Sequence, residues 1–157
     1  MPAAVSKILS WLHRLEDAVL VLLLGSMISI AAAQVIMRNL FDSGFFWGDA
    51  AVKVGVLWLA IVGAMVASRS DEHIRIDLVN HFLSDRTKAH LKRVINLFTC
   101  VILGLFAWSS LTFVQFEYED QTIAFASVPA WLCAAVIPVG TGVMSLRYAL
   151  QTVWPKV

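Results

Sequence analysis

The stretch from Ala18 to Met37 reads AVLVLLLGSMISIAAAQVIM and contains no charged residue. A helix needs about 20 predominantly apolar residues to cross a hydrocarbon core roughly 30 Å thick, and this stretch is that long. Its residues do not alternate between apolar and polar, as those of a membrane barrel strand would. The stretch therefore predicts a transmembrane helix.

Three further apolar stretches follow in the 157-residue chain. Hydrophobic residues make up 59% of the chain and charged residues 15%, whereas soluble domains contain about half and a quarter. We therefore expect an all-α integral membrane protein with one membrane domain, 1–157, and four transmembrane helices. The predicted spans are about 18–37, 47–67, 94–116 and 128–150.

Basic residues are unevenly distributed between the two sides of these spans. The connection after the third span contains no Lys or Arg and instead carries Glu117, Glu119 and Asp120. Because cytoplasmic loops carry an excess of Lys and Arg, this pattern predicts that both termini are cytoplasmic. The basic residues on the predicted cytoplasmic side are Lys7, Arg14, Arg69, Arg75, Arg86, Lys88, Lys92, Arg93, Arg147 and Lys156.

The connection between the second and third spans, 68–93, mixes apolar and charged residues. From about Asp77 onwards, apolar residues at 78, 79, 82 and 83 recur at helical spacing. This pattern predicts a short amphipathic helix on the cytoplasmic membrane surface. A solvated hairpin is the alternative. Ser84 and Asp85 then predict a helix start that leads into the third span.

Asp49 and Lys53 are the best candidates for functional ionisable residues within a predicted span. They are four residues apart, so they share one helix face and can form an ion pair. Ionisable residues at membrane depth are expensive and commonly functional. We expect a structural ion pair or a contact with a partner subunit. The alternatives are a Lys53 side chain that reaches to the membrane surface and a transport role.

Other polar residues give weaker signals. Glu16 and Asp17 are expected in the first turn of the first helix, where the helix dipole favours acids. No histidine falls at mid-membrane depth, which argues against haem, and no catalytic, phosphate-binding or metal-binding motif is present. The four histidines are His13, His73, His81 and His90.

Small residues and one proline mark the second and fourth spans. Gly140 and Gly142, together with Ala60, Ala64 and Ser68 at four-residue spacing, are expected to allow close helix packing. Pro138 is expected to bend the fourth span.

Several of these residues carry a resemblance to the small membrane subunit of TRAP transporters, the DctQ family. The resemblance begins at Trp47 and extends, with the four spans and the length, over nearly the whole chain. Family members often have a second acid where this chain has Ala50, and Arg where it has Lys53. The matching features are Asp49, Lys53, Trp58, Gly63-Ala64, Arg69, His73-Ile74-Arg75-Ile76-Asp77, Val128-Pro129-Ala130-Trp131 and Ile137-Pro138-Val139-Gly140.

The resemblance implies a small scaffold subunit of the bacterial inner membrane that is not an enzyme and holds no cofactor. It would brace a large membrane subunit that contains the sodium and substrate sites. A periplasmic substrate-binding protein would deliver the substrate, commonly an organic acid. The implied partners are thus the large subunit, the binding protein and membrane lipids, and no nucleic acid.

Site residues follow from the resemblance and from the charge pattern. Two of these sets have simpler alternatives. The acidic residues proposed to contact the binding protein could form an ordinary solvated loop. The basic residues proposed to contact lipid head groups could serve only to set the topology. The candidates are Trp47, Asp49, Lys53 and Trp58 for a partner subunit or structural ion pair; Arg69, His73, Arg75 and Asp77 as a cytoplasmic loop motif; Asp42, Glu117, Glu119 and Asp120 for the binding protein; and Arg86, Lys88, Lys92 and Arg93 for lipid head groups.

Two other functions remain open from the sequence. One is an autonomous small exporter that acts as a homo-oligomer and depends on Glu16 or Asp17. The other is a membrane anchor of a redox complex, which would show a haem spectrum.

Overall fold

The computed structural model describes residues 3–42, 44, 46–69 and 85–153. This part of the chain consists of long helices and one short hairpin. Its elements are α1 (Ala3–Phe41), α2 (Gly48–Ala67), α3 (Asp85–Glu119), β1 (Ile123–Phe125), β2 (Val128–Pro129), α4 (Ala130–Ala134) and α5 (Val136–Val153).

Four helical stretches in the described residues are long and apolar enough to cross a membrane, which confirms the predicted all-α membrane fold. The first and third helices extend well beyond the predicted spans. Hydropathy marks only the length that hydrocarbon requires, whereas a helix can continue into water through polar residues. The four stretches are Trp11–Phe41, Gly48–Ala67, His90–Glu119 and Ala130–Thr152.

The helices are not packed in chain order. The first helix α1 packs on α2, α2 packs on α5, and α5 packs on α3. The last helix therefore lies between the second and the third. Buried apolar residues of the described chain lie on α2, α4 and α5, and they are Val62, Cys133, Ala134, Val136 and Met144.

The two ends of the bundle differ in composition. At one end, Glu16 of α1 contacts both Arg69, which follows α2, and Arg147 of α5. We call this the termini end, because α1 begins and α5 ends there. At the other, the hairpin end, the rings of Tyr118 and Trp131 meet edge to face with centroids 5.7 Å apart.

The hairpin between α3 and α4 was not predicted. Ile123 lies opposite Pro129 and Phe125 opposite Val128 in an antiparallel pair. The turn contains Ala126 at a φ of 50°, a left-handed conformation more typical of Gly or Asn. Because the strands are very short and the turn has no Gly or Asn, the sequence lacked the usual hairpin signals.

The fourth span is interrupted at Ala135, between α4 and α5. Pro138 has no backbone N–H and cannot donate to the carbonyl of Ala134, four residues earlier, where its ring also causes crowding. The interruption lies three residues before Pro138, and the bend expected at Pro138 stays a prediction.

Part of the predicted cytoplasmic connection lies outside the described residues. The surface helix expected from about Asp77 and the loop-motif residues His73, Arg75 and Asp77 belong to it. The described chain resumes at Asp85, where α3 begins.

Candidate functional site

Four charged side chains meet at the termini end. The Nε of Arg69 lies 3.3 Å from Oε2 of Glu16, and its Nη2 donates to Asp17. The Nη2 of Arg147 donates to the other carboxylate oxygen of Glu16. We call Glu16, Asp17, Arg69 and Arg147 the charge cluster. Its two carboxylates and two guanidinium groups neutralise one another.

Glu16 is the centre of the charge cluster. Its side chain is only 9% exposed, whereas that of Asp17 is 59% exposed. A buried carboxylate requires opposite charges close by, because desolvation otherwise disfavours its ionised form. The planar guanidinium forks of Arg69 and Arg147 provide these charges on both sides. The cluster thereby ties α1 to both α2 and α5.

The two arginines also bind backbone carbonyls. Nη1 of Arg147 donates to the Met65 carbonyl (2.6 Å) and to Oγ of Ser68 (3.2 Å). Nη1 of Arg69 donates to the His13 carbonyl (3.0 Å). The last carbonyls of a helix have no partner within the helix, and the helix dipole favours cations there. Arg147 therefore caps the end of α2 while neutralising Glu16, and Arg69 binds a carbonyl within α1.

The sequence did not predict this cluster. Glu16 and Asp17 were expected in the first turn of their helix, and this placement is wrong because α1 begins at Ala3. Arg147 was interpreted only as a determinant of topology. An available signal was that acids and arginines occur at the same predicted end of different spans.

Asp49 is bound by a neighbouring helix rather than by Lys53. Nε2 of Gln34 in α1 donates to Oδ1 of Asp49 at 2.8 Å. Gly48 leaves room for this contact, because a Cβ atom there would lie 2.8 Å from Oε1 of Gln34. Lys53 is exposed and forms no ion pair with any described residue. The expected ion pair is therefore not formed here, and a role of either residue toward a partner subunit stays a prediction.

Trp58 connects α2 to the interruption in the fourth span. Its indole Nε1 donates to the Cys133 carbonyl at 3.0 Å. Within a membrane no water is available, so an indole N–H needs an acceptor from the protein. The bond therefore holds α2 and α4 together where the helix is interrupted.

An apolar cavity of about 310 Å³ lies between α1, α2, the hairpin and α4. Trp47 and Trp58 both line it, and its other walls are apolar except for Ser26, whose hydroxyl donates to the Leu23 carbonyl. The lining contains no Asp, Glu, Lys, Arg or His. Within the described ranges, no three His, Cys, Asp or Glu residues are grouped so as to hold a metal ion.

The acidic and basic candidates lie at opposite ends. Asp42, directly after α1, and the acids around the end of α3 are at the hairpin end, where Glu117 accepts a hydrogen bond from Thr122. The basic candidates are in the first turns of α3 at the termini end. Contacts with a binding protein or with lipid head groups stay predictions. The two sets are Asp42, Glu117, Glu119 and Asp120, and Arg86, Lys88, Lys92 and Arg93.

Residues 27–155 match the sequence model of tripartite ATP-independent periplasmic transporters, DctQ component. The chain belongs to this family. It is similar to the sialic acid TRAP transporter permease protein SiaT of Haemophilus influenzae, at 23% identity over 89% of this chain and 23% of SiaT. The chain thus corresponds to less than a quarter of the length of that relative.

Two relatives of more similar length carry the small-permease name. The ectoine TRAP transporter small permease protein TeaB of Halomonas elongata is 22% identical over 98% of this chain and 80% of TeaB. The C4-dicarboxylate TRAP transporter small permease protein DctQ of Vibrio cholerae is 20% identical over 92% of this chain and 75% of its own length.

Membership in the DctQ family confirms the resemblance inferred from Asp49, Trp58 and Arg69. The chain is a TRAP transport subunit, and this family of permease subunits is not a catalytic one. Together with the four apolar helices, the family supports a multi-pass inner-membrane protein.

Proposed function

We propose that this chain is the small scaffold subunit of a TRAP transporter. It braces the large membrane subunit during sodium-coupled, binding-protein-dependent uptake of an organic acid. The large subunit contains the substrate and sodium sites, and a periplasmic binding protein delivers the substrate.

The composition of the cavity is the main support for a scaffold role. An organic acid is an anion and needs cationic or hydrogen-bonding groups at its binding site. The cavity of about 310 Å³ has no charged residue in its lining. The arginines of the charge cluster are already engaged by Glu16, Asp17 and backbone carbonyls. The lining of this cavity and the engaged arginines therefore support a framework role.

The charge cluster also argues against an autonomous exporter. Such an exporter would use Glu16 or Asp17 to couple movement of a substrate to movement of protons. Glu16 is instead held between two guanidinium groups, of which that of Arg147 also caps α2. This arrangement suits a fixed contact between α1, the end of α2 and α5.

We further propose that the termini end faces the cytoplasm and the hairpin end faces the periplasm. This orientation follows the positive-inside rule, since Lys92 and Arg93 lie at the termini end and Glu119 and Asp120 at the hairpin end. It exposes the acidic hairpin end to the periplasmic binding protein.

Co-purification tests the proposed assembly. The tagged chain, expressed from its native locus and extracted in mild detergent, should bring down a large polytopic membrane protein in stoichiometric amount. The control is an equally expressed tagged membrane protein of unrelated function. Recovery of the chain alone, or of copies of itself only, would contradict the proposal.

Cysteine labelling tests the proposed orientation. Cys100 and Cys133 are first replaced by Ser and Ala, and single cysteines are introduced as Ser127→Cys in the hairpin turn or Arg14→Cys in α1. A membrane-impermeant maleimide added to spheroplasts should label the variant with Ser127→Cys and leave the Arg14→Cys variant unlabelled until the cells are lysed. The reverse pattern would show the opposite orientation.

A further inference from the structure

The apolar cavity of about 310 Å³ follows α2 inward from the hairpin end. Trp47, directly before α2, and Trp58, within it, both line the cavity. At the rise of an α-helix these two positions are roughly 16 Å apart along the axis. One leaflet of the hydrocarbon core is about 15 Å thick, half of a core of roughly 30 Å. The cavity therefore extends over the depth of one leaflet.

The cavity offers little to water. The two strongest hydrogen-bonding side chains of its lining are already engaged: the Ser26 hydroxyl donates to the Leu23 carbonyl at 2.8 Å, and the Trp58 indole donates to the Cys133 carbonyl at 3.0 Å. A buried water needs about two to four polar partners, and apolar cavities stay dry and bind apolar molecules. An apolar cavity left unfilled also destabilises the protein around it. We therefore expect an apolar occupant.

The cavity is continuous with the outer surface of the apolar spans. Trp47 and Leu132 belong to its lining and are also 38% and 46% exposed on the outside of the bundle. No charged residue or histidine lines the way in. In a bilayer the surface of such spans is surrounded by lipid acyl chains. An acyl chain can therefore enter the cavity sideways without passing a charged group.

We propose that this cavity binds one acyl chain of a phospholipid from the leaflet at the hairpin end. The carboxyl end of the chain lies near Trp47, at the level where aromatic residues meet the head groups, and its methyl end lies near Trp58. A helix of another protein, about 10–12 Å across with its side chains, is too wide for this cavity. A single apolar side chain is much shorter than the cavity and leaves most of it unfilled. The bound chain fills the space between α1, α2, the hairpin and α4.

The helix α1 provides a measure of depth along the cavity, because it runs antiparallel to α2. Met27 lies beside Gly55, where a Cβ atom would come within 2.8 Å of its Cγ, and Gln34 lies beside the start of α2. Among the residues of α1 that line the cavity, Ile30 is therefore nearer the head groups and Leu23 is deeper.

Photo-cross-linking at two depths tests the location of the chain. The full-length chain, purified together with any protein that accompanies it, is reconstituted in vesicles of phosphatidylethanolamine and phosphatidylglycerol. The vesicles contain a trace of phosphatidylethanolamine with a diazirine near either the carboxyl end or the methyl end of one acyl chain. After irradiation, adducts are mapped by peptide mass spectrometry. The carboxyl-end diazirine should label Ile30, and the methyl-end diazirine should label Leu23.

A variant that fills the cavity tests the binding. Ala51 belongs to the lining, so the larger side chain of Ala51→Leu competes with the acyl chain for space. Adducts at Met27 should fall about tenfold, because overfilling a packed site is unfavourable. Adducts at Val21, which is 71% exposed on the outside of α1, should not change. The matched control Ala31→Leu, at an exposed position of α1 outside the lining, should leave both adducts unchanged.

Two results would overturn the proposal. One is labelling of Val21 in the wild-type chain without labelling of Leu23, Met27 or Ile30. The other is equal labelling of Met27 in Ala51→Leu and in wild type. The wild-type map needs no substitution, so it decides the question even if Ala51→Leu does not fold. The adducts are measured on this chain alone, so the result does not depend on the proposed scaffold function.

Discussion

Glu16 is the residue on which the termini end of the bundle depends. Its carboxylate is 9% exposed and forms ion pairs with two arginines, Arg69 directly after α2 and Arg147 in α5. Each arginine also donates a hydrogen bond to a backbone carbonyl, so both side chains are held in place by the protein itself. Removing the negative charge would therefore leave Arg147 without a carboxylate partner and Arg69 with only Asp17, while both arginine side chains are largely shielded from solvent.

Glu16→Gln should destabilise the protein strongly. Breaking a buried ion pair by removing one partner costs about 3–5 kcal/mol, because the other charge stays buried. The free energy of unfolding can be measured by titration with a denaturing detergent in mixed micelles. The control Asp17→Asn, at a mostly exposed position that contacts only Arg69, should shift the titration far less. Equal shifts for the two variants would show that Glu16 is not the centre of the cluster.

Gly140 is the second residue whose identity the packing determines. A Cβ atom at this position would lie 2.1 Å from Cγ2 of Ile61 in α2, whereas one at Gly142 would meet nothing within 4 Å. Gly140→Ala should therefore cost about 1–3 kcal/mol through overpacking. Gly142→Ala should be neutral or stabilising by up to about 1 kcal/mol, because alanine favours helix.

The same detergent titration checks this pair of glycines. Gly140→Ala should lower the free energy of unfolding by less in an Ile61→Ala background than in wild type, because the clashing methyl group is then absent. An equal loss in the two backgrounds would show that the cost does not come from the contact with Ile61.

At the scale of the elements, hydropathy was a good guide to the spans and a poor guide to their connections. The apolar runs around α1, α2 and α3 predicted three helices because an uncharged run of membrane length has few other solutions. The hairpin Ile123–Pro129 was missed because its strands have only three and two residues and its turn has no Gly or Asn. An interruption near Pro138 could be anticipated, because the missing N–H is a local property.

Trp58 should be important for the stability of the interrupted fourth span. Trp58→Phe removes the donor to the Cys133 carbonyl while keeping an aromatic ring, and an unsatisfied buried carbonyl costs about 1–3 kcal/mol. Trp108→Phe is the matched control, because that side chain is 74% exposed on α3. Comparable unfolding free energies for the two variants would contradict the role of this hydrogen bond.

At the scale of the whole molecule, the order of the helices explains why the charge cluster could not be predicted. Glu16 and Arg147 are 131 positions apart in sequence. Their contact requires α1, α2 and α5 to meet at one end, whereas sequence alone does not specify which spans are neighbours. Gln34 likewise binds Asp49 because α1 packs on α2, and this contact replaces the local pair expected with Lys53.

The whole molecule also shows how charge is separated from the apolar surface. The buried charges neutralise one another at the termini end, and the cavity nearer the hairpin end is apolar. Long faces of α1 and α3 expose bulky apolar residues, which suits a subunit surrounded by lipid and other protein. Within the described residues, these features support the proposed framework role.

The most direct test of this account is substrate uptake into liposomes that contain purified protein. Liposomes with this chain alone should take up no more organic acid than empty liposomes, even with a sodium gradient and the loaded binding protein outside. Liposomes with this chain and the large subunit together should take it up under the same conditions. Uptake catalysed by the isolated chain would contradict the central claim that it is a scaffold.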